Sequence, residues 1–134
     1  MKLTGARVLI TGCSSGIGRA TAQALQRAGA DVWATARDAD ALAALAESGM
    51  HAMRLDVRDD REVRDVVGSV GRVDVLINNA GYGLEGAVEE VSDAELHDQY
   101  DTNVFGPWRL CRAVLPGMRD QGTGVIVNVS SFGG

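Results

Sequence analysis

Apolar residues along this chain follow two alternating patterns, one typical of buried strands and one typical of amphipathic helices. Between the short apolar runs, apolar positions recur every three or four residues, as expected when one helix face packs on a sheet. The apolar runs predict five strands, at residues 7–10, 31–36, 51–55, 73–77 and 125–129.

Polar and small residues indicate where the intervening helices begin. A helical pattern starts near Gly16, and a second covers residues 39–47. Asp59 is placed to cap a third helix. Residues 92–95 form a capping box, and the apolar positions of the longest predicted helix continue from there to Met118.

Strands that alternate with helices in this way predict an α/β fold, a doubly wound parallel sheet of the Rossmann type. We expect one domain over residues 1–134, incomplete at its carboxyl-terminal side because the pattern stops directly after the fifth strand. Ligands of such sheets bind outside the carboxyl ends of the strands. The residues expected there are the turn after strand one, Arg37, Asp56, Asn79 and Ser131.

The turn at residues 11–18 carries glycine at positions 12, 16 and 18, between a strand and a helix. Glycine permits positive φ and close backbone approach, and a helix amino terminus attracts phosphate, so the turn predicts a nucleotide diphosphate site. Taken alone, the turn could equally be a tight strand-to-helix connection.

Composition narrows the class of protein. Of the 134 residues, 46% are hydrophobic and 23% are charged, with a net charge of −5, which predicts a soluble globular domain that binds neither nucleic acid nor anionic membranes. The first residues lead directly into a strand, so we expect a cytoplasmic protein without a leader. Cys13 and Cys111 have neither metal-ligand nor disulfide-framework spacing, and no metal site is predicted.

Five ordered segments resemble the short-chain dehydrogenase/reductase family. Besides the glycine turn, they are Asp56-Val57, Asn78-Asn79-Ala80-Gly81, Asn103 and Val127-Asn128-Val129-Ser130-Ser131. The resemblance implies an oxidoreductase that transfers hydride between NAD(P) and a small alcohol or carbonyl substrate, and a homo-oligomer at full length.

The resemblance also implies roles for particular residues. The cofactor's phosphates and ribose would be surrounded by Gly12, Ser14, Ser15, Gly16, Ile17 and Gly18. Asp56 and Val57 would hold the adenine, and Asn79, Ala80 and Gly81 would pass beside a ribose. Read without the resemblance, Asp56 is a helix cap or turn residue, and residues 79–81 form a tight turn after a buried strand.

Charge at the end of strand two bears on the choice of cofactor. An enzyme that selects NAD usually has a carboxylate there for the ribose 2′-hydroxyl. This strand ends in Ala36-Arg37, and arginine offers a charge-assisted fork for a 2′-phosphate, so we favour NADP(H) over NAD(H). The alternative is a solvated Arg37 paired with Asp38 or Asp40.

Two further residues are candidates for catalysis. Pro107 has no N–H, so in an α-helix the carbonyl of Asn103 is left free and a kink is expected. The resemblance implies that this carbonyl holds a water of a proton relay, whereas the kink could simply fit the helix to the sheet. Ser131 corresponds to the catalytic serine of the family, or Ser130 if the register shifts by one; otherwise both are turn residues.

The family's catalytic tyrosine follows that serine by about a dozen residues, with a lysine four positions further on. Lys2 is the only lysine here, and neither Tyr82 nor Tyr100 has a lysine four residues later. We therefore interpret the chain as an amino-terminal part that is inactive alone. The alternatives are a non-catalytic nucleotide-binding or cofactor-sensing module and, less favoured, a flavodoxin-like fold.

The segments beyond strand five would also cover apolar surface. Strand five is predicted to be an exposed edge, so residues 1–134 expressed alone should self-associate or dissolve poorly. The loop at residues 82–86, together with Phe132, suggests an apolar pocket mouth, although exposed loop residues explain it as well.

Overall fold

A computed structural model describes residues 1–131, and Phe132 lies outside the described residues. The five strands are β1 (Arg7–Ile10), β2 (Asp31–Ala36), β3 (His51–Arg54), β4 (Val75–Asn78) and β5 (Val125–Asn128). The five α-helices are α1 (Gly16–Arg27), α2 (Ala39–Glu47), α3 (Asp60–Val70), α4 (Asp93–Tyr100) and α5 (Gly106–Gln121). A 3-10 turn spans Val88–Glu90.

All strand pairs are parallel, and the strand order is β3-β2-β1-β4-β5. From β1 the sheet extends through β2 to β3 on one side, and β4 and β5 are then added on the other side of β1. The direction of strand order therefore reverses between β1 and β4. This is the point at which doubly wound sheets bind ligands. The predicted fold class is confirmed for the part of the fold that the chain covers.

Two apolar layers enclose the sheet. On one face, α1 and α2 pack on side chains that include Val8 and Ile10; on the other, α3 and α5 pack around Leu9 and Leu76. Strands β1 and β4 therefore consist mostly of consecutive apolar residues, because both of their faces are covered. β5 forms an edge of the described sheet, with Val125 and Val127 about two-fifths exposed, as its predicted edge position requires.

The predicted long helix is interrupted. The capping box at Ser92 and Glu95 is present, but α4 ends at Tyr100, and residues Asp101–Phe105 form a π-helical turn before α5. The N–H of Gly106 bonds to the carbonyl of Asp101, five residues earlier. A Cβ at Gly106 would lie 2.6 Å from Cγ2 of Val57, so only glycine allows the helix to approach the turn after β3 this closely.

Candidate functional site

The glycine turn after β1 has the shape of a phosphate cradle. Gly12 and Gly16 have φ values of 72° and 57°, which disfavour any residue with a side chain. A Cβ at Gly12 would lie 2.8 Å from Cα of Ala80, and one at Gly18 would overlap the carbonyl oxygen of Gly12. A Cβ at Gly16 would meet nothing within 4 Å, so the turn is packed tightly beneath and open above.

Helix α1 begins in this turn with its backbone donors uncapped. Ser15 is the N-cap residue but makes no side-chain bond to the helix, and the first turn contains no acidic residue. Helices α2, α3 and α4 all have a side-chain cap and an acidic first turn. Free N–H groups and an uncompensated helix dipole make this end of α1 suited to an anion.

Thr11 and Asn79 join the ends of β1 and β4. The buried Thr11 hydroxyl accepts the N–H groups of Asn79 and Ala80 at 3.1 and 3.0 Å. In return, the Asn79 amide donates to the carbonyls of Thr11 and Gly12, both at 3.1 Å. These bonds fix the base of the cradle. No motif in the sequence indicated this role of Thr11, although a buried hydroxyl at a strand end must find partners.

Asp56 follows β3, and its carboxylate is occupied by Arg58. The guanidinium Nε and Nη2 lie 3.0 and 2.8 Å from Oδ1 and Oδ2 of Asp56. Hydrogen bonding from Arg58 outweighs burial and holds the pKa of Asp56 below its ordinary value. The N-cap of α3 is Asp59, so Asp56 is a turn residue but not the helix cap. The side chain of Val57 is buried in the core beside Gly106.

Arg37 is exposed at the end of β2. Asp38 caps α2 by accepting the N–H of Ala41 at 2.8 Å. Neither Asp38 nor Asp40 forms an ion pair with Arg37 in the described residues, whose ion pairs all involve other cations. Arg37 and Asp56 follow the adjacent parallel strands β2 and β3, so both lie at the carboxyl end of the sheet.

Asn103 lies inside the π-helical turn, and its side chain binds the loop after β4. Its Oδ1 accepts the N–H of Tyr82 at 3.0 Å, and its Nδ2 donates to the carbonyl of Tyr82 at 2.8 Å. The sequence pointed only to the main-chain oxygen of Asn103. The kink expected near Pro107 is the π turn, and no pattern in the sequence indicated the side-chain contact.

Ser130 and Ser131 are exposed beyond the end of β5. The buried Asn78 fixes this end of the strand: its Nδ2 donates to Oδ1 of Asn128 at 2.9 Å, and its carbonyl accepts the N–H of Val129 at 2.9 Å. Ser131 lies two residues after Val129, beyond the carboxyl end of the sheet, where the glycine turn, Arg37, Asp56 and Asn79 also follow their strands. The candidate site residues that follow the five strands therefore all lie at the carboxyl end of the sheet.

A parallel α/β sheet with a glycine cradle at its reversal point defines a nucleotide-binding protein of the doubly wound class. The sequence profile described as short chain dehydrogenase matches residues 6–134, and the chain belongs to this family. The predicted family is thereby confirmed, and it consists of NAD(P)-dependent oxidoreductases.

Two curated relatives illustrate the likeness. The chain is 42% identical to 3-ketodihydrosphingosine reductase of Bacteroides thetaiotaomicron, over 95% of this chain and 47% of the relative. It is also 42% identical to 2-keto-3-deoxy-L-fuconate dehydrogenase of Xanthomonas campestris pv. campestris, over 97% of this chain and 44% of the relative. The chain spans about half the length of these relatives.

The chain also has the same fold as solved structures of short-chain dehydrogenases and ketoreductases. A short-chain dehydrogenase from Streptomyces avermitilis superimposes with a TM-score of 0.90 at 46% identity, covering 99% of this chain and 52% of that one. An actinorhodin polyketide ketoreductase variant solved with NADPH gives 0.87 at 38% identity, covering 96% and 54%. Within residues 1–131, no helix is both long and apolar enough to cross a membrane.

Proposed function

We propose that the chain is the amino-terminal part of an NADP(H)-dependent oxidoreductase that transfers hydride between nicotinamide and a secondary alcohol or ketone. The observation that carries the proposal is the cradle at Gly12, Gly16 and Gly18, which is open only above Gly16 and faces the uncapped amino terminus of α1. A pyrophosphate fits such a site because it needs backbone donors and no opposing carboxylate.

The other residues around the cradle fit the remainder of the cofactor. When bound, the nicotinamide gives or accepts the hydride. Gly12, Ser14, Ser15, Gly16 and Gly18 would hold the phosphates and a ribose. Ile17 is 68% exposed at the start of α1, where a bound cofactor would cover it. The adenine would lie against Asp56 and the backbone of Val57, whose side chain is buried, and a ribose would lie beside Asn79, Ala80 and Gly81.

Arg37 supports the choice of NADP(H). It is exposed, has no ion-pair partner within residues 1–131, and directly follows β2, at whose end a 2′-phosphate would bind in a doubly wound sheet. The 2′-hydroxyl of NAD would need an acceptor, which arginine does not provide.

Catalysis would combine residues of this chain with residues beyond it. Ser131 would donate a hydrogen bond to the substrate oxygen, and the carbonyl of Asn103 would hold a relay water. The general acid/base would be a tyrosine whose pKa is lowered by a lysine four positions further on, both encoded after residue 134, since the relatives are about twice as long as this chain. We further propose that the 134-residue chain alone is inactive and that the full-length protein is a cytoplasmic homo-oligomer.

Cofactor choice is tested by titrating NADPH and NADH into the protein made from the complete reading frame. We expect Arg37→Ala to weaken NADPH binding about tenfold or more, the loss of a charged hydrogen bond, and to leave NADH nearly unchanged. Arg27→Ala is the matched control, because Arg27 is an exposed arginine at the other end of α1. Equal loss for both nucleotides would contradict a 2′-phosphate contact.

Activity is tested on the same protein with a panel of aliphatic and alicyclic ketones, monitored by NADPH oxidation. We expect turnover by the unmodified protein. Ser131→Ala should lower this turnover at least tenfold and leave nucleotide affinity unchanged. Tight nucleotide binding without turnover on any ketone or alcohol would favour the alternative, a non-catalytic cofactor-sensing module.

A further inference from the structure

Arg58 lies in the turn between β3 and α3 and holds the Asp56 carboxylate at three points. Besides the two guanidinium contacts at 3.0 and 2.8 Å, the backbone N–H of Arg58 donates to Oδ1 of Asp56 at 3.0 Å. Oδ1 thus receives two donors and Oδ2 receives one. Because each carboxylate oxygen has two acceptor sites, one site on Oδ2 remains for another donor.

The same guanidinium reaches a distant part of the chain. Its Nη1 donates to Oδ1 of Asp98 in α4, which is 40 residues away in sequence. The other oxygen of Asp98 accepts the hydroxyl of Tyr82 at 2.7 Å. Arg58 therefore connects the turn after β3 with helix α4 and, through Asp98, with the loop after β4.

The surroundings of Arg58 are otherwise acidic. An open cavity of about 470 Å³ lies beside it, and Arg58 is the only cationic residue of its lining, which consists of Asp56, Arg58, Asp59, Asp60, Asp98 and Asp101. Removing its charge would leave Asp56 and Asp98 to repel each other. Its hydrogen bonds lower the pKa of Asp56, and the Tyr82 hydroxyl followed by Arg58 lowers the pKa of Asp98.

We infer that Arg58 is a positioning residue for the adenine end of the cofactor: it turns Asp56 so that the remaining acceptor site of Oδ2 is held for an amino group of the base. Asp98 is the anchor that keeps the guanidinium in place. The inference rests on the proposed cofactor function. It assigns Arg58 a role through Asp56, with no contact between Arg58 and the reacting atoms.

The test compares the two halves of the cofactor on the complete protein. ADP-ribose carries the adenine and is common to NAD and NADP, whereas reduced nicotinamide mononucleotide lacks the adenine. Arg58→Gln removes the charge and the fork, whereas Arg58→Lys keeps the charge but not the fork. Each variant should weaken ADP-ribose binding about tenfold. Binding of the mononucleotide, followed by saturation-transfer NMR, should stay within about twofold of the unmodified protein.

Two further variants separate positioning from folding. Arg64→Gln removes a more exposed arginine of α3 that pairs with Asp60 at 3.3 Å, and it should leave both ligands unaffected. Asp98→Asn keeps the fork on Asp56 but weakens the anchor, and it should reduce ADP-ribose binding about threefold.

Three results would overturn the inference. Arg58→Gln could bind ADP-ribose like the unmodified protein, it could lose both ligands equally, or Asp98→Asn could leave ADP-ribose binding unchanged. If the unmodified protein bound neither ligand, the proposed function itself would fail and the inference would fall with it.

Discussion

The side chain of Asn103 pairs with the backbone of Tyr82 through both of its polar atoms, at 3.0 and 2.8 Å. The contact ties the π-helical turn to the loop after β4 through the side chain of Asn103 alone. Its contribution to stability can therefore be tested by changing that side chain.

We expect Asn103→Asp to lower the free energy of unfolding by about 1 kcal/mol, because the carboxylate cannot donate to the Tyr82 carbonyl. Gln99→Ala is the control: its amide bonds to the same carbonyl at 3.4 Å, so its loss should cost less than half as much. Urea denaturation of each variant measures the difference. A stability of Asn103→Asp equal to that of the unmodified chain would show that the pairing contributes nothing.

The strands and most of the helices could be predicted because their signals are local. Val8, Leu9 and Ile10 are fully buried, and a run of three such residues has few other interpretations. The capping box at Ser92 and Glu95 is likewise contained within four residues. That Asp56 and Asn79 both lie at the carboxyl end of the sheet followed from parallel pairing alone.

The remaining features depend on residues that are distant in sequence. The pairing of Arg58 with Asp98 spans 40 positions and exists only because α4 packs beside the turn after β3. The close approach of Gly106 to Val57 joins residues that are 49 positions apart, and no local periodicity encodes it. The family resemblance implies a role for Asn103, but only the folded chain shows that its side chain is bonded to Tyr82.

The tight packing beneath the cradle predicts a large effect at Gly18. A Cβ there would overlap the carbonyl oxygen of Gly12 and the amide of Asn79, and backbone cannot move aside cheaply. We expect Gly18→Ala to destabilise the chain by about 2 kcal/mol or more.

Gly68 provides the matched control for Gly18. It lies within α3, and a methyl group added to its Cα would meet no neighbour within 4 Å, so Gly68→Ala should raise stability by about 0.5 to 1 kcal/mol through helix propensity. Thermal unfolding of both variants gives the comparison. Destabilisation of similar size at both positions would show that the loss at Gly18 is not specific to contact at the cradle.

Asp74 predicts a pH dependence of stability. Burial of its carboxyl opposes ionisation, but the backbone N–H of Arg7 at 2.9 Å and the Arg72 guanidinium at 2.8 Å outweigh it and lower the pKa. A lowered folded pKa gives stability that is present above the unfolded value, about 3.9, and is lost as pH falls through the folded value.

The measurement is the difference in unfolding free energy between the unmodified chain and Asp74→Asn. We expect about 1 to 2 kcal/mol in favour of the unmodified chain at pH 7, the same at pH 5, and a decrease below about pH 4. Taking the difference cancels the other titrating carboxyls. A difference that grew as pH fell would mean that Asp74 is protonated in the folded chain.

Cys13 lies in the glycine turn, and burial of its side chain predicts that its thiol does not react with thiol reagents in the folded chain. The side chain is fully buried, and burial raises the pKa of its thiol to about 11. Because the thiolate is the reactive form, Cys13 should be inert in the folded chain at pH 8. Cys111 is half-buried and should account for all rapid labelling.

Counting thiols with a chromogenic disulfide reagent tests this expectation. One thiol should react in the native chain and two in urea, and Cys13→Ser should remove only the thiol that urea exposes. Cys111→Ser should abolish the native reaction. Rapid labelling of Cys13 in that variant would mean that the turn opens on the time scale of the reaction, and the phosphate cradle would then form only when a nucleotide binds.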